Sequence, residues 1–220
     1  MKQDKYDIGA FMPDVIDILR SNGGGTLNGL TPGISSFAVF YNKTLFDQYK
    51  IPHPSANMTW TEMMQLVDRF PVDSDESNRI YGYYNSGYYE MAKFGGLIEW
   101  MGRSAGLSLV DPKSDQVLIG SAEWSKVFER CIESLRQGTV RVDEDFQSQV
   151  FSAGRAAMRI GGLEVLGQLD EYRRSHPDAP AVNWGVVPLP HETAGPNYSP
   201  WTLNTIYASE SGLGAYPIYS

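Results

Sequence analysis

Residues 38–54, AVFYNKTLFDQYKIPHP, read as three elements in direct succession. The run from Phe37 through Asn42 is apolar, aromatic and β-branched, the composition of a buried strand. KTLFDQYK then takes the spacing of a short amphipathic helix. It ends before Pro52, because a proline pushes the residue ahead of it out of the helical region. Between strand and helix lies Tyr41-Asn42-Lys43. Its expected role is helix capping and packing, with ligand contact as the alternative. Ahead of the strand, GLTPGISS (29–36) is polar and carries glycine and proline, so it reads as an irregular segment after a short strand.

Working outward, TWTEMMQLVDRF (59–70) opens a clear helix. Thr59 and Glu62 have the spacing of a capping box, and Trp60, Met63, Met64, Val67 and Phe70 form a buried stripe. Residues 11–21 also read as a helix, stopped by SNGGGT. RIYGYYN (79–85) reads as a strand and 88–105 as a helix weakened by Gly95 and Gly96. LSLVD and QVLIG flank PKSD like a small hairpin, and Trp124–Leu135 makes a further helix. DEDFQSQVFSAG is expected to be helical, with its acidic start at the N-terminal end of the dipole. RAAMRIGG is a short buried strand. LEVLGQLDEYRRS is a helix carrying Leu163, Val165, Leu166, Leu169 and Tyr172. VNWGVVPLP and WTLNTIYAS are strands. Strands alternating with helices across short connections predict an α/β fold.

The chain of 220 residues is 42% hydrophobic, enough for one large core or two modest ones. Its net charge is −8, and Lys and Arg never run beyond two in a row. Nucleic-acid binding is therefore not expected, since phosphate recognition needs a concentrated basic patch. No apolar run approaches the ~18 residues of a membrane span. The first residues, MKQDKYDIGAFMPDV, lack the apolar stretch of a signal peptide. Either the protein is cytosolic or a leader lies outside this chain. The one cysteine, Cys131, has helical spacing with its apolar neighbours and is expected in the core.

No catalytic set emerges. His53, His176 and His191 each adjoin a proline and lack metal-ligand spacing, and CxxC pairs are absent. GxSxG, GxGxxG and GxxxxGK are absent as well, so no metal or cofactor is expected. Glu90, Glu99 and Glu164 lie loosely near aromatics, but as solvated faces rather than an assigned pair. Thirteen Tyr and five Trp, many in glycine-bearing contexts, are either core or a binding surface. Together these features favour binding over turnover, in a concave site of the kind that lies between domains.

The segment TLNGLTPGISSFAVFYNKTLFDQYKIPHPSANMTWTEMMQLVDRF resembles the central part of bacterial extracellular solute-binding proteins of ABC transporters, the sugar-binding group. The matching features are Gly29-Leu30-Thr31-Pro32, Ser35-Ser36, Tyr41-Asn42-Lys43, Leu45-Phe46, Ile51-Pro52 and Thr59-Trp60-Thr61-Glu62. FSAGRAAMRIGG (151–162) and WGVVPLP (184–190) follow in the family's order, so the resemblance covers roughly residues 10–210. It implies two α/β lobes that close on a ligand, a periplasmic-binding-protein-like (type II) lobe with a mixed sheet flanked by helices. Residues 35–200 would be the C-terminal lobe. Residues 1–34 would be a remnant of the N-terminal lobe with the first crossing, and 201–220 the return crossing with a truncated strand. GLGAYPIYS continues the family pattern poorly, and Leu163-Glu164 stands where members often carry a stacking aromatic.

What the resemblance implies is a non-enzymatic receptor. It would capture a small solute, a carbohydrate by expectation, and deliver it to permease subunits of an ABC importer. The location would be extracellular, cell-surface or periplasmic, with the membrane reached only through a leader or lipid anchor absent from this chain. The alternative is a secreted carbohydrate-active enzyme with paired carboxylates. Ser35 and Ser36 are candidates at the crossing, by hydrogen bonding or as solvated loop. Tyr88 and Tyr89 are candidates ahead of a helix facing the cleft. Gly162 and Glu164 follow a strand end, where α/β sheets place ligands. Glu164 would accept from sugar hydroxyls or serve its own helix dipole. Trp201, at the return crossing, is the stacking candidate.

Overall fold

The computed structural model describes residues 7–22, 24–31, 34–73, 75–86, 94–111, 113–143, 149–191, 201–209 and 212–219. The chain divides into two compact units, Met1–Ser36 with Pro200–Ser220, and Phe37–Ser199.

In the smaller unit, helix α1 (Pro13–Asn22) buries Val15, Ile16 and Leu19, with Leu27 and Leu30 packed against them. Its sheet is built on β8 (Trp201–Ser209), which pairs antiparallel with β1 (Gly29–Leu30), β2 (Ile34–Ser36) and β9 (Gly212–Tyr219).

In the larger unit, five strands run in the order β5-β4-β6-β3-β7. They are β3 (Ala38–Asn42), β4 (Tyr81–Ser86), β5 (Val140–Asp143), β6 (Ala156–Gly161) and β7 (Trp184–Pro188). β4 is parallel to β5 and β6, whereas β3 is antiparallel to both β6 and β7. Four strands therefore point their carboxyl ends to one edge of the sheet, and β3 begins at that edge. Ala38 is in register with both Gly161 and Pro188 there. This is the mixed, helix-flanked sheet expected of the family.

Local sequence explains the elements around this sheet. Asn42 ends β3 and accepts the Leu45 amide through its side chain, capping α2 (Lys43–Gln48). Phe46 of that helix meets Tyr41 edge-on, so the Tyr-Asn-Lys step serves capping and packing as expected. α3 (Trp60–Val67) opens with the full capping box, since Thr59 and Glu62 each take the other's amide. Trp60, Met63, Met64, Val67 and Phe70 are all buried. α4 (Phe94–Ser104) packs on α5 (Ala122–Gln137), where the Trp124 ring occupies the space a side chain at Gly102 would need. Cys131 is in this core.

Three readings are corrected, and one is met in reduced form. Of the helix expected over DEDFQSQVFSAG, 144–148 lie outside the described residues, and 149–154 form turns. Gly154 takes a positive φ of 76°, and the Arg155 amide returns to the Val150 carbonyl, bending the chain into β6. The small hairpin around PKSD is present in minimal form: Val110 bridges Val117 antiparallel, the Asp111 amide donates to the Gln116 carbonyl and the Leu118 amide to the Leu109 carbonyl, and Leu109 packs on the core. Leu163 precedes α6 (Glu164–Ser175) instead of belonging to its apolar side, and Val165 is the residue that helix buries. Finally, β5 was not anticipated, because VRVD is short and becomes a strand only by pairing with β4. The helix read over 88–105 is present from Phe94; 87–93 lie outside the described residues.

Candidate functional site

The carboxyl-end edge of the larger sheet collects polar groups that a strand interior would exclude. β6 is buried at every position, yet its fourth residue is Arg159, only 5% exposed. Its Nη1 donates to Gln168 Oε1 of α6 at 2.6 Å, while its Nε has no acceptor. Burial pushes the guanidinium below its ordinary range, and Glu164 foremost, then Tyr83 and Tyr84, oppose that shift.

β4 contributes the neighbouring groups. Tyr83 is buried, and burial drives its phenol well above the ordinary range, so it stays protonated. Tyr84 Oη donates to Asp143 Oδ2 at the end of β5, 3.4 Å away. Asn85 is 3% exposed and its Oδ1 receives no hydrogen bond. Buried polar atoms are rarely left this way, because each loses its hydration without compensation. An acceptor and a donor are thus left unused near the strand ends.

After β6 the chain turns at Gly161-Gly162. The Gly162 amide donates to Glu164 Oε1 at 2.7 Å. Gly161 has no room for a side chain: a Cβ there would strike Val165 Cγ2 and lie 3.1 Å from Glu164 Oε1. Leu163, at the N-cap of α6, supplies no capping side chain and is 83% exposed. A separate groove of about 360 Å³, lined by Leu166, Tyr172, Arg173, Pro180 and Trp184, sits by the start of β7, away from the strand ends.

The sequence candidates fall into three groups. Gly162 and Glu164 are brought into direct hydrogen-bond contact in the larger unit. Ser35, Ser36 and Trp201 are brought together in the smaller unit, where β2 pairs with β8 and Ser36 is in register with Trp201. Tyr88 and Tyr89 lie outside the described residues. Sequence reasoning missed Arg159, Asn85 and Asp143. The available signal was a charged residue inside an otherwise apolar strand, AAMRIG, which is costly unless something pairs with it. Among the described residues, no group of His, Cys, Asp and Glu could hold a metal ion. No described helix is long and apolar enough to cross a membrane.

Known proteins give this geometry a context. The solved structures of similar fold include UgpB from Mycobacterium tuberculosis in complex with glycerophosphocholine. It shares 17% identity at a TM-score of 0.68, covering 98% of this chain and 48% of that one. Maltose-bound MalE3 of T. maritima shares 16% identity at a TM-score of 0.62, over 100% and 51% of the two chains. A sugar transporter protein of Rhizobium etli in an open conformation shares 21% at 0.61, over 97% and 50%. The chain thus spans about half the length of these solved relatives. No curated protein sequence matches it significantly. The family model described as bacterial extracellular solute-binding protein matches residues 2–211, almost the whole chain. On that match, the chain belongs to the bacterial extracellular solute-binding proteins.

Proposed function

We propose that this protein is part of a receptor that captures a small solute, a carbohydrate, between two lobes and hands it to the permease subunits of an ABC importer. The observation that carries this reading is the family match over residues 2–211. It is supported by the sheet edge, where four strand ends, an unpaired buried amide oxygen and an unpaired guanidinium N–H gather. In α/β proteins ligands bind outside such carboxyl ends. That the solved relatives include maltose-bound and sugar-transporter proteins favours the carbohydrate class.

In this reading residues 35–200 are the C-terminal lobe, and 1–34 with 201–220 belong to the N-terminal lobe and its crossings. Ser35, Ser36 and Trp201 contribute from the crossings. Gly162 and Glu164 contribute from the turn after β6, and Tyr88 and Tyr89 from the segment after β4. The protein acts outside the cytoplasmic membrane, brought there by a leader and held free or by a lipid anchor. It binds and does not turn its ligand over.

A panel of mono- and oligosaccharides tested by thermal shift checks this. A ligand that binds only the native state raises the melting temperature. The expected result is a dose-dependent rise for a sugar that is recovered chemically unchanged. Hydrolysis of that sugar, lost in Glu164→Gln, would establish the enzyme instead.

A further inference from the structure

The turn after β6 holds a set of donors converging on one small space. The Gly162 amide already donates to a carboxylate, Glu164 Oε1, at 2.7 Å. α6 is a 12-residue helix whose N-cap, Leu163, provides no capping side chain, so its positive end is met by Glu164 alone among its own first-turn residues. Arg159 lies beneath, 5% exposed, with Nε lacking an acceptor. A Cβ built on Gly161 would lie 3.8 Å from that Nε and 3.1 Å from Glu164 Oε1, so both groups lie close to Gly161, alongside Val165. A helix N-terminus, a backbone N–H and a buried, unpaired guanidinium N–H are the elements of oxyanion recognition.

Glu164 fills this position from two residues away and is itself exposed. It can swing into solvent without opening the core, since Val165 is the residue that anchors α6. We propose that residues 159–164 form an anion-binding corner in which Glu164 stands in for the carboxylate or phosphate of an acidic solute. Within the receptor reading above, on which this rests, the solute is an acidic or phosphorylated sugar that exchanges with Glu164. A neutral hydroxyl would leave Arg159 without a counter-charge once Glu164 moved; an anionic group restores it.

The test compares the wild-type chain with Glu164→Gln by calorimetry and by the amide resonances of Gly162 and Leu163. The probes are glucuronate, glycerol 3-phosphate, glucose, glycerol and inorganic phosphate. Removing the tethered competitor is expected to tighten binding of glucuronate or glycerol 3-phosphate about tenfold or more. The Gly162 resonance should move on binding, and glucose and glycerol should show no gain. Arg159→Lys in the Glu164→Gln background is expected to abolish the gain. Should that variant misfold, the Arg159 Nε–H resonance of the Glu164→Gln protein must still shift with the anion. Equal affinity of both proteins for every anionic probe overturns the proposal. Inorganic phosphate bound as tightly as glycerol 3-phosphate overturns the assignment to a solute. Glucose binding to both proteins without any anionic gain overturns the corner and leaves the sugar-receptor reading standing.

Discussion

At Gly161 the chain passes so close to Val165 and Glu164 that a single methyl group has no place. Gly161→Ala is therefore expected to cost about 1–3 kcal/mol, as overpacking does. The cost would be read as a lower denaturation midpoint with an unchanged slope. Because the same methyl would push Glu164 off the Gly162 amide, the Gly162 resonance should shift as well. At this scale the sequence was half legible. That Gly162 and Glu164 follow a strand and open a helix could be read from RIGGLEVL, and the structure places them so. The setting of Arg159 could not be read so, because its partner Gln168 comes from a helix whose docking no local pattern specifies.

Elements with local signals were the legible ones. The α3 capping box could be read from Thr59 and Glu62, and it is formed in full. Thr59→Ala should cost about 1 kcal/mol in thermal or chemical denaturation, since one orphan amide loses its acceptor. α5 allows a pH prediction. Glu123 is held below the ordinary carboxylate range, first by its own backbone amide and then by the Ser121 hydroxyl. A depressed folded value means the contribution is present above the unfolded pKa and is lost as pH falls through the folded one. Ser121→Ala should bring the Glu123 titration, followed by carboxyl NMR, back toward the ordinary value; an unmoved titration would remove Ser121 as a cause. The elements that were misread lacked such signals. β5 is a strand because β4 lies beside it, and the 149–154 turn follows from Gly154 and the return of Arg155 to Val150. Both depend on where distant or bent chain comes to rest.

For the larger unit as a whole, strand–helix alternation gave the α/β class, while the strand order depended on distant partners, those of β3 lying more than a hundred residues away. One polar cluster ties several of these parts together. Asp68, at the end of α3, accepts from Arg130 Nη2 at 2.6 Å and Ser134 Oγ at 2.9 Å on α5, and from Thr139 Oγ1 at 3.0 Å just before β5. Asp68→Ala would take the shared acceptor from Arg130 and Ser134, while Thr139 Oγ1 keeps the Ser134 carbonyl at 3.2 Å. A loss of about 3 kcal/mol is expected, with α5 and β5 amides losing hydrogen-exchange protection together.

β3 sits between β6 and β7, the last two strands of its sheet, and runs against both. As the protein is synthesised, the second-innermost ribbon emerges first and must wait for more than a hundred further residues before either neighbour exists. Closing so long a loop is slow, because most of its entropy is lost before any pairing rewards it. β3 consequently stays without a partner until β6 has been made. During that interval the sheet of the larger unit cannot close, and this stretch of chain remains available to whatever handles it before folding.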